Sequence, residues 1–251
     1  LSGLVGSEMC IRDRIKGLEG TLVLGTKQYF NSGGAGFLSI AAGTVRLAGG
    51  TNTLWQGVQG SAVAQNLMLA PGATLDLNGN SQMIGSLGYL NTPSAAGSVI
   101  SAQPALLAIN ANNEYFGGSL SGPISLAVSM QGYFILGAPV AHSGSTVLVG
   151  ANNLFYMRDA GAFVATPALD LNYVSLSLEN ANANSSRQLV PDRINDSAVV
   201  TMRGALMTLV GRDAMVASEK VLKVVLAEGQ NTFDLVNGYG AIRSTTLVLG
   251  T

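Results

Sequence analysis

From Gly17 onward the chain is cut into short apolar runs, each closed by glycine or asparagine, and few folds accept that pattern. Thr21-Leu22-Val23-Leu24-Gly25, Gly43-Thr44-Val45-Arg46-Leu47-Ala48-Gly49, Ala73-Thr74-Leu75-Asp76-Leu77-Asn78-Gly79 and Thr146-Val147-Leu148-Val149-Gly150 are examples. Alternating β-branched or leucine residues bury one face of an extended strand. The closing Gly or Asn tolerates the positive φ that a tight corner needs. The runs are too short to cross a bilayer as helices, which takes about 20 apolar residues. Val216 to Leu226 comes nearest to a helical segment, but its valines and the Glu228-Gly229 turn predict a strand.

Composition supports the same reading. Only 11% of the 251 residues are charged, whereas Gly contributes 32. A helical bundle needs a charged outer face that this chain does not supply. Between Gly49 and Met157 the charged side chains are Asp76 and Glu114 alone, so the clustered Lys and Arg that neutralise nucleic-acid phosphates are missing. Net charge −1 points the same way, and neither nucleic acid nor membrane insertion by this segment is expected. Cys10, the single cysteine, cannot close an internal disulfide.

Self-similarity narrows the fold further. Gly20–Gly25, Asn31–Gly34 and Leu38–Ile40 align with Gly132–Gly137, His142–Ser145 and Val147–Gly150 in nearly constant register. A turn that cannot bury its apolar face alone is buried by stacked neighbours. At about 20 to 25 residues per turn, roughly ten turns fit, with inward Leu, Val, Ile and Phe and stacked Asn and Ser/Thr ladders. The expected fold is therefore all-β, a right-handed parallel β-helix (β-solenoid) forming a single elongated domain. An antiparallel sandwich would use Asn-Gly hairpins, for which Asn78-Gly79 and Asn237-Gly238 are the two candidates.

Two resemblances bear on origin. Gly6-Ser7-Glu8-Met9-Cys10-Ile11-Arg12-Asp13-Arg14 resembles a translated sequencing adaptor, so residues 1–16 are expected to be a non-native or disordered leader and residues 17–251 a fragment of a β-solenoid repeat domain. The second spans most of Gly17 to Thr251. Gly-x-Leu-x-Leu-x-Gly, a Tyr/Phe-x-x-Gly turn and a Thr/Val strand resemble the autotransporter-associated β-strand repeat, matched best by Gly20 to Leu47 with Tyr29, Gly33, Gly43, Val45 and Leu47. The second copy departs from it at Pro139-Val140-Ala141 and Asn152-Asn153. The resemblance implies a passenger region, secreted or displayed at the outer surface of a Gram-negative-type bacterium. In the full-length chain it also implies an outer-membrane β-barrel further along. A fragment with uncapped turns is expected to self-associate through its open strand edges.

No catalytic, cofactor or metal site is expected from these residues, and the chain is not expected to be an enzyme. His142 lies beside Ser143 and Ser145, but no Gly-x-Ser-x-Gly elbow is present, and a solvated turn is expected for it. Metal ligation has neither clustered His/Cys nor a calcium loop. Asp192 and Asp196, within Pro191-Asp192-Arg193-Ile194-Asn195-Asp196, are the best carboxylate pair for a polysaccharide lyase or glycosidase, yet Arg193 between them predicts a charged, solvated turn. Asp76 and Asp170 alternate with leucines and are expected at the surface. Trp55, Tyr89, Tyr115, Phe116, Tyr133 and Phe134 offer a possible sugar-stacking face. The expected function is a structural or adhesive surface scaffold whose partners are cell-surface glycans or proteins. A carbohydrate-binding module and, third, a polysaccharide-cleaving β-helix are the alternatives.

Overall fold

The computed structural model describes residues 14–29, 37–55, 57–58, 61–62, 66–88, 97–180, 189–212, 216–236 and 244–249. Residues 1–13, including Cys10 and most of the adaptor-like peptide, lie outside them, as do Asn31–Gly34, Tyr89 and Asn237-Gly238. Strands form where the short apolar runs stand, and parallel sheets stack as a β-solenoid of about eight turns, with no helix among the described residues. At about 4.8 Å per turn the stack is roughly 40 Å long, shorter than ten even turns would give. Turn length varies: Leu120 faces Val99 after a short turn, whereas Leu75 faces Val45 only after the added hairpin of Gly57–Val58 and Ser61–Ala62.

Three faces run along the rod. The first is a seven-stranded parallel sheet of Thr21–Leu24, Thr44–Leu47, Thr74–Asp76, Ser98–Ile100, Ser119–Gly122, Pro139–His142 and Ala162–Phe163. The second passes through Gln82–Ile84, Ala105–Ala111, Ile124–Met130, the first halves of Thr146–Met157 and Ala168–Glu179, Val199–Arg203 and Lys223–Glu228. The third takes Glu114–Phe116, Tyr133–Leu136, the second halves of the same two long strands, Leu206–Val210 and Thr232–Val236. Arg14–Lys16 pairs in parallel with Phe37–Ile40, so pairing begins ahead of Gly17.

Alternation along each strand becomes a continuous column inside the rod. Ile84, Ile109, Val128, Leu148, Leu171 and Met202 are register partners in succession, all buried. Each such residue stabilises the rod by about 1.5–3 kcal/mol, realised only when the next turn is in place. On the outside of the first face, Thr21, Thr44, Thr74, Ser98 and Ser119 stand in one hydroxyl ladder, with Ser119 Oγ donating to Ser98 Oγ at 2.8 Å. A polar ladder therefore forms along this strand face.

Two expectations change. Thr21–Leu24 belongs to the first face and Tyr133–Leu136 to the third, so the two sequence copies are not structural equivalents. Both are Gly-bounded apolar strands, and every face of a solenoid requires those. Asn78-Gly79, with φ of 50° and 77°, turns a corner between Thr74–Asp76 and Gln82–Ile84, which pair with other turns instead of each other. The hairpin alternative fails there. Asn78 and Asn80 side chains donate to Leu47 O at 3.1 and 2.8 Å and tie that corner to the preceding turn.

Close stacking at corners makes one substitution test the register. Gly122 has φ +95°, and a Cβ there would collide with the Ser101 carbonyl. Gly122→Ala is expected to cost about 2 kcal/mol or more, seen as a lower urea midpoint, while Gly50→Ala, whose Cβ meets open space, is expected to show only its smaller φ penalty.

Candidate functional site

His142 is not the solvated turn residue its sequence context predicts. It ends the strand Pro139–His142, whose exposed-buried alternation points it inward, and it is fully buried. Its ring meets Phe163 edge-on at 5.8 Å between centroids. His142 Nε2 is 2.7 Å from Thr146 Oγ1, which is 3.2 Å from Thr166 Oγ1, which donates to Gly144 O at 2.8 Å. One direction satisfies this chain: Nε2–H to Thr146, Thr146 to Thr166, Thr166 to the carbonyl. Nδ1 is then a bare acceptor; the other tautomer would bury an N–H without a partner, which is costlier. Burial lowers the imidazole pKa to about 4. Ser143 hydrogen-bonds to the Gly122 carbonyl, so neither residue has the other as its partner.

The four singled-out aspartates separate. Asp76 is buried, contrary to the surface position expected: Arg46, its register partner on the neighbouring turn, lies against it at 2.7 Å, and Asn78 N–H donates to it at 2.9 Å. Asp170 is half-exposed and pairs with Arg203 at 3.2 Å. Asp192 and Asp196 are both exposed; Asp192 turns a corner at φ 55°, and Asp196 pairs with Lys220 at 3.3 Å.

Arg193 between them reverses its expected role. It is fully buried and spreads its guanidinium among backbone carbonyls. Nη1 donates to Gly161 O at 2.6 Å, Nη2 to Asp159 O at 3.0 Å and Glu179 O at 2.9 Å, and Nε to Asn180 Oδ1 at 3.1 Å. The backbone N–H groups of Arg193 and Ile194 donate to the two oxygens of Glu219, at 2.8 and 2.9 Å. Glu219 is itself fully buried, and desolvation raises its pKa to about 7 despite those bonds. At this level the first face narrows to Ala162–Phe163 and a single bridge from Phe163 to Ile194. The side chains supply hydrogen bonds that a longer strand would have made. Sequence reasoning missed both residues. Glu219 was legible, because it shares parity with the inward Ala217 and Val221; Arg193 left no signal, because its polar neighbours read as a solvated turn.

A third buried acid, Glu114, has a carboxyl oxygen without a hydrogen-bond partner, and burial raises its pKa to about 7. It is the register neighbour of Phe134, which stacks on Phe155 at 5.2 Å.

The proposed aromatic face does not assemble as a set. Phe116 and Phe134 are core residues, each 2% exposed, while Tyr115 and Tyr133 are half-buried. The side chains of Trp55 and Tyr89 lie outside the described residues. What does form is a smaller cluster on the third face. The Tyr115 hydroxyl donates to Asp159 Oδ2 at 2.9 Å, Arg158 lies 3.9 Å from the centre of the Tyr156 ring, and Arg158 Nε meets Glu179 at 2.9 Å. Burial, with Asp159 beside it, raises the Tyr115 pKa to about 12. Among the described residues no group of three or more His, Cys, Asp or Glu is placed to hold a metal ion.

No protein-family model, curated protein or solved structure matches the chain.

Proposed function

We propose that this chain is a non-catalytic stretch of an extended bacterial surface scaffold, of the passenger type that its autotransporter-associated repeat pattern resembles. The observation that carries the reading is how the buried polar groups are used. Arg193, Glu219, His142 and Gln82 all bond to backbone or to neighbouring hydroxyls, bracing one turn against the next. Gln82, for example, accepts from Leu54 N–H at 2.9 Å and donates to Leu54 O at 3.2 Å, completing a ladder with its amide. A rod braced in this way holds its length and presents its outer faces. In the source bacterium, antibody to the chain is expected to label intact cells, and external protease to remove the label; labelling only after permeabilisation would overturn the proposal. Reducing-sugar release from pectic and other glycans is expected to stay at background.

The Tyr115–Asp159 and Tyr156–Arg158–Glu179 cluster favours a second reading, a carbohydrate-binding module on the same scaffold. A glycan array separates the two: hits that vanish in Tyr156→Ala with the fold intact would support binding at this cluster.

A further inference from the structure

The corner between the second and third faces repeats along the rod, and its positions with positive φ are Asn113, Asn152, Tyr173, Gly204 and Gly229. Asparagine and glycine occupy such corners readily; tyrosine does not. Tyr173 nevertheless holds φ 50° and is 54% exposed, so burial of the ring does not compensate for the strain. The Cδ1–Cε1 edge of its ring lies over Gly204, where a Cβ would come within 2.7 Å. The preceding corner is spanned by Gly150, Ala151 and Asn152, whereas Tyr173 spans its own alone, so the preceding corner is two residues longer. On the other side Arg203 is fixed by Asp170 Oδ1 at 3.2 Å and Asn172 Oδ1 at 3.3 Å, with Glu228 at 3.9 Å.

We propose that the Tyr173 corner, with Arg203, Asp170 and Asn172, is a binding site for a neutral oligosaccharide lying along the rod. A ring held at the surface in a strained backbone conformation offers an apolar face for the C–H side of a pyranose. Planar guanidinium, carboxylate and amide groups beside it pair with vicinal hydroxyls. Arg203 is flanked by Asp170 and Glu228, so no net positive charge is presented to an acidic polymer. This site is separate from the Tyr115–Tyr156 cluster, and it goes beyond the scaffold role.

The test uses the whole chain with cellohexaose, maltohexaose and xylohexaose as neutral probes and hexagalacturonate as the acidic one, followed by calorimetry and tyrosine fluorescence. Saturable binding of at least one neutral probe is expected. Tyr173→Asn should weaken it at least about tenfold, while raising the thermal midpoint by about 2 to 4 °C because asparagine accepts the corner. Tyr173→Phe should keep most of the affinity. The proposal is overturned if no neutral probe binds, if Tyr173→Asn binds as the parent does, or if hexagalacturonate binds more tightly than every neutral probe.

Discussion

Arg193→Met is expected to be the most damaging single substitution in the rod, lowering stability by about 3–5 kcal/mol and the thermal midpoint by about 10 °C. The guanidinium serves three backbone carbonyls, of Asp159, Gly161 and Glu179, and the amide oxygen of Asn180, which come from two successive passes of the same corner. Methionine fills much of the volume but donates nothing, and each acceptor left buried costs about 1–3 kcal/mol before relaxation. Lysine is expected to recover little, since one ammonium cannot reach the spread of acceptors that a planar fork spans. Because each turn contacts chiefly its neighbours, the damage should be local. Hydrogen exchange is the decisive measurement: amides of Ala162–Phe163 and Ala217–Val221 should lose protection, while those of Thr44–Leu47 keep theirs. Uniform loss along the rod, or none, would contradict the bracing role.

The pH dependence of stability is expected to run against that of most proteins, declining from about pH 5 to pH 7.5. Glu114 and Glu219 are each raised by burial from 4.5 to about 7. In that window the unfolded chain releases protons that the folded rod retains. Stability is therefore fully present below 4.5 and is lost as pH rises toward 7, by up to about 3 kcal/mol for each group. His142 acts in the opposite sense. Its pKa is lowered from 6.5 to about 4, so its contribution is fully present above 6.5 and is lost as pH falls toward 4. Two carboxyls outweigh one imidazole above about pH 4, placing the maximum near pH 4. Urea midpoints at pH 4, 5, 6 and 7.5 check this directly. The double variant Glu114→Gln, Glu219→Gln should abolish the decline and leave the rise due to His142. A parent midpoint that climbs from pH 5 to 7.5 would show that these acids are ionised in the folded state.

Much of the architecture was legible because strand and corner chemistry are local. The runs at Thr21–Leu24, Thr44–Leu47, Thr74–Asp76 and the start of Thr146–Met157 are strands where alternation placed them. Val216 to Leu226 divides into the strands Ala217–Val221 and Lys223–Glu228. Burial of charged groups was not legible. Asp76 and Asp170 sit in identical Leu-Asp-Leu contexts, yet one is covered by Arg46 from the neighbouring turn and the other stays half-exposed beside Arg203. The difference lies some 30 residues away in sequence.

Taken alone, the sequence determined that the chain would be all-β and stacked, since period-2 alternation broken by Gly and Asn leaves an apolar face that only another such turn can cover. It did not determine which turn meets which. The aligned segments at Gly20–Gly25 and Gly132–Gly137 fall on different faces, because every face uses the same kind of strand. Tertiary structure alone decided the fates of Arg193, His142 and Glu114, and set Tyr173 at a corner otherwise held by Asn and Gly. Those outcomes depend on what the adjacent turn presents at 4.8 Å spacing, and register, not composition, fixes that neighbour.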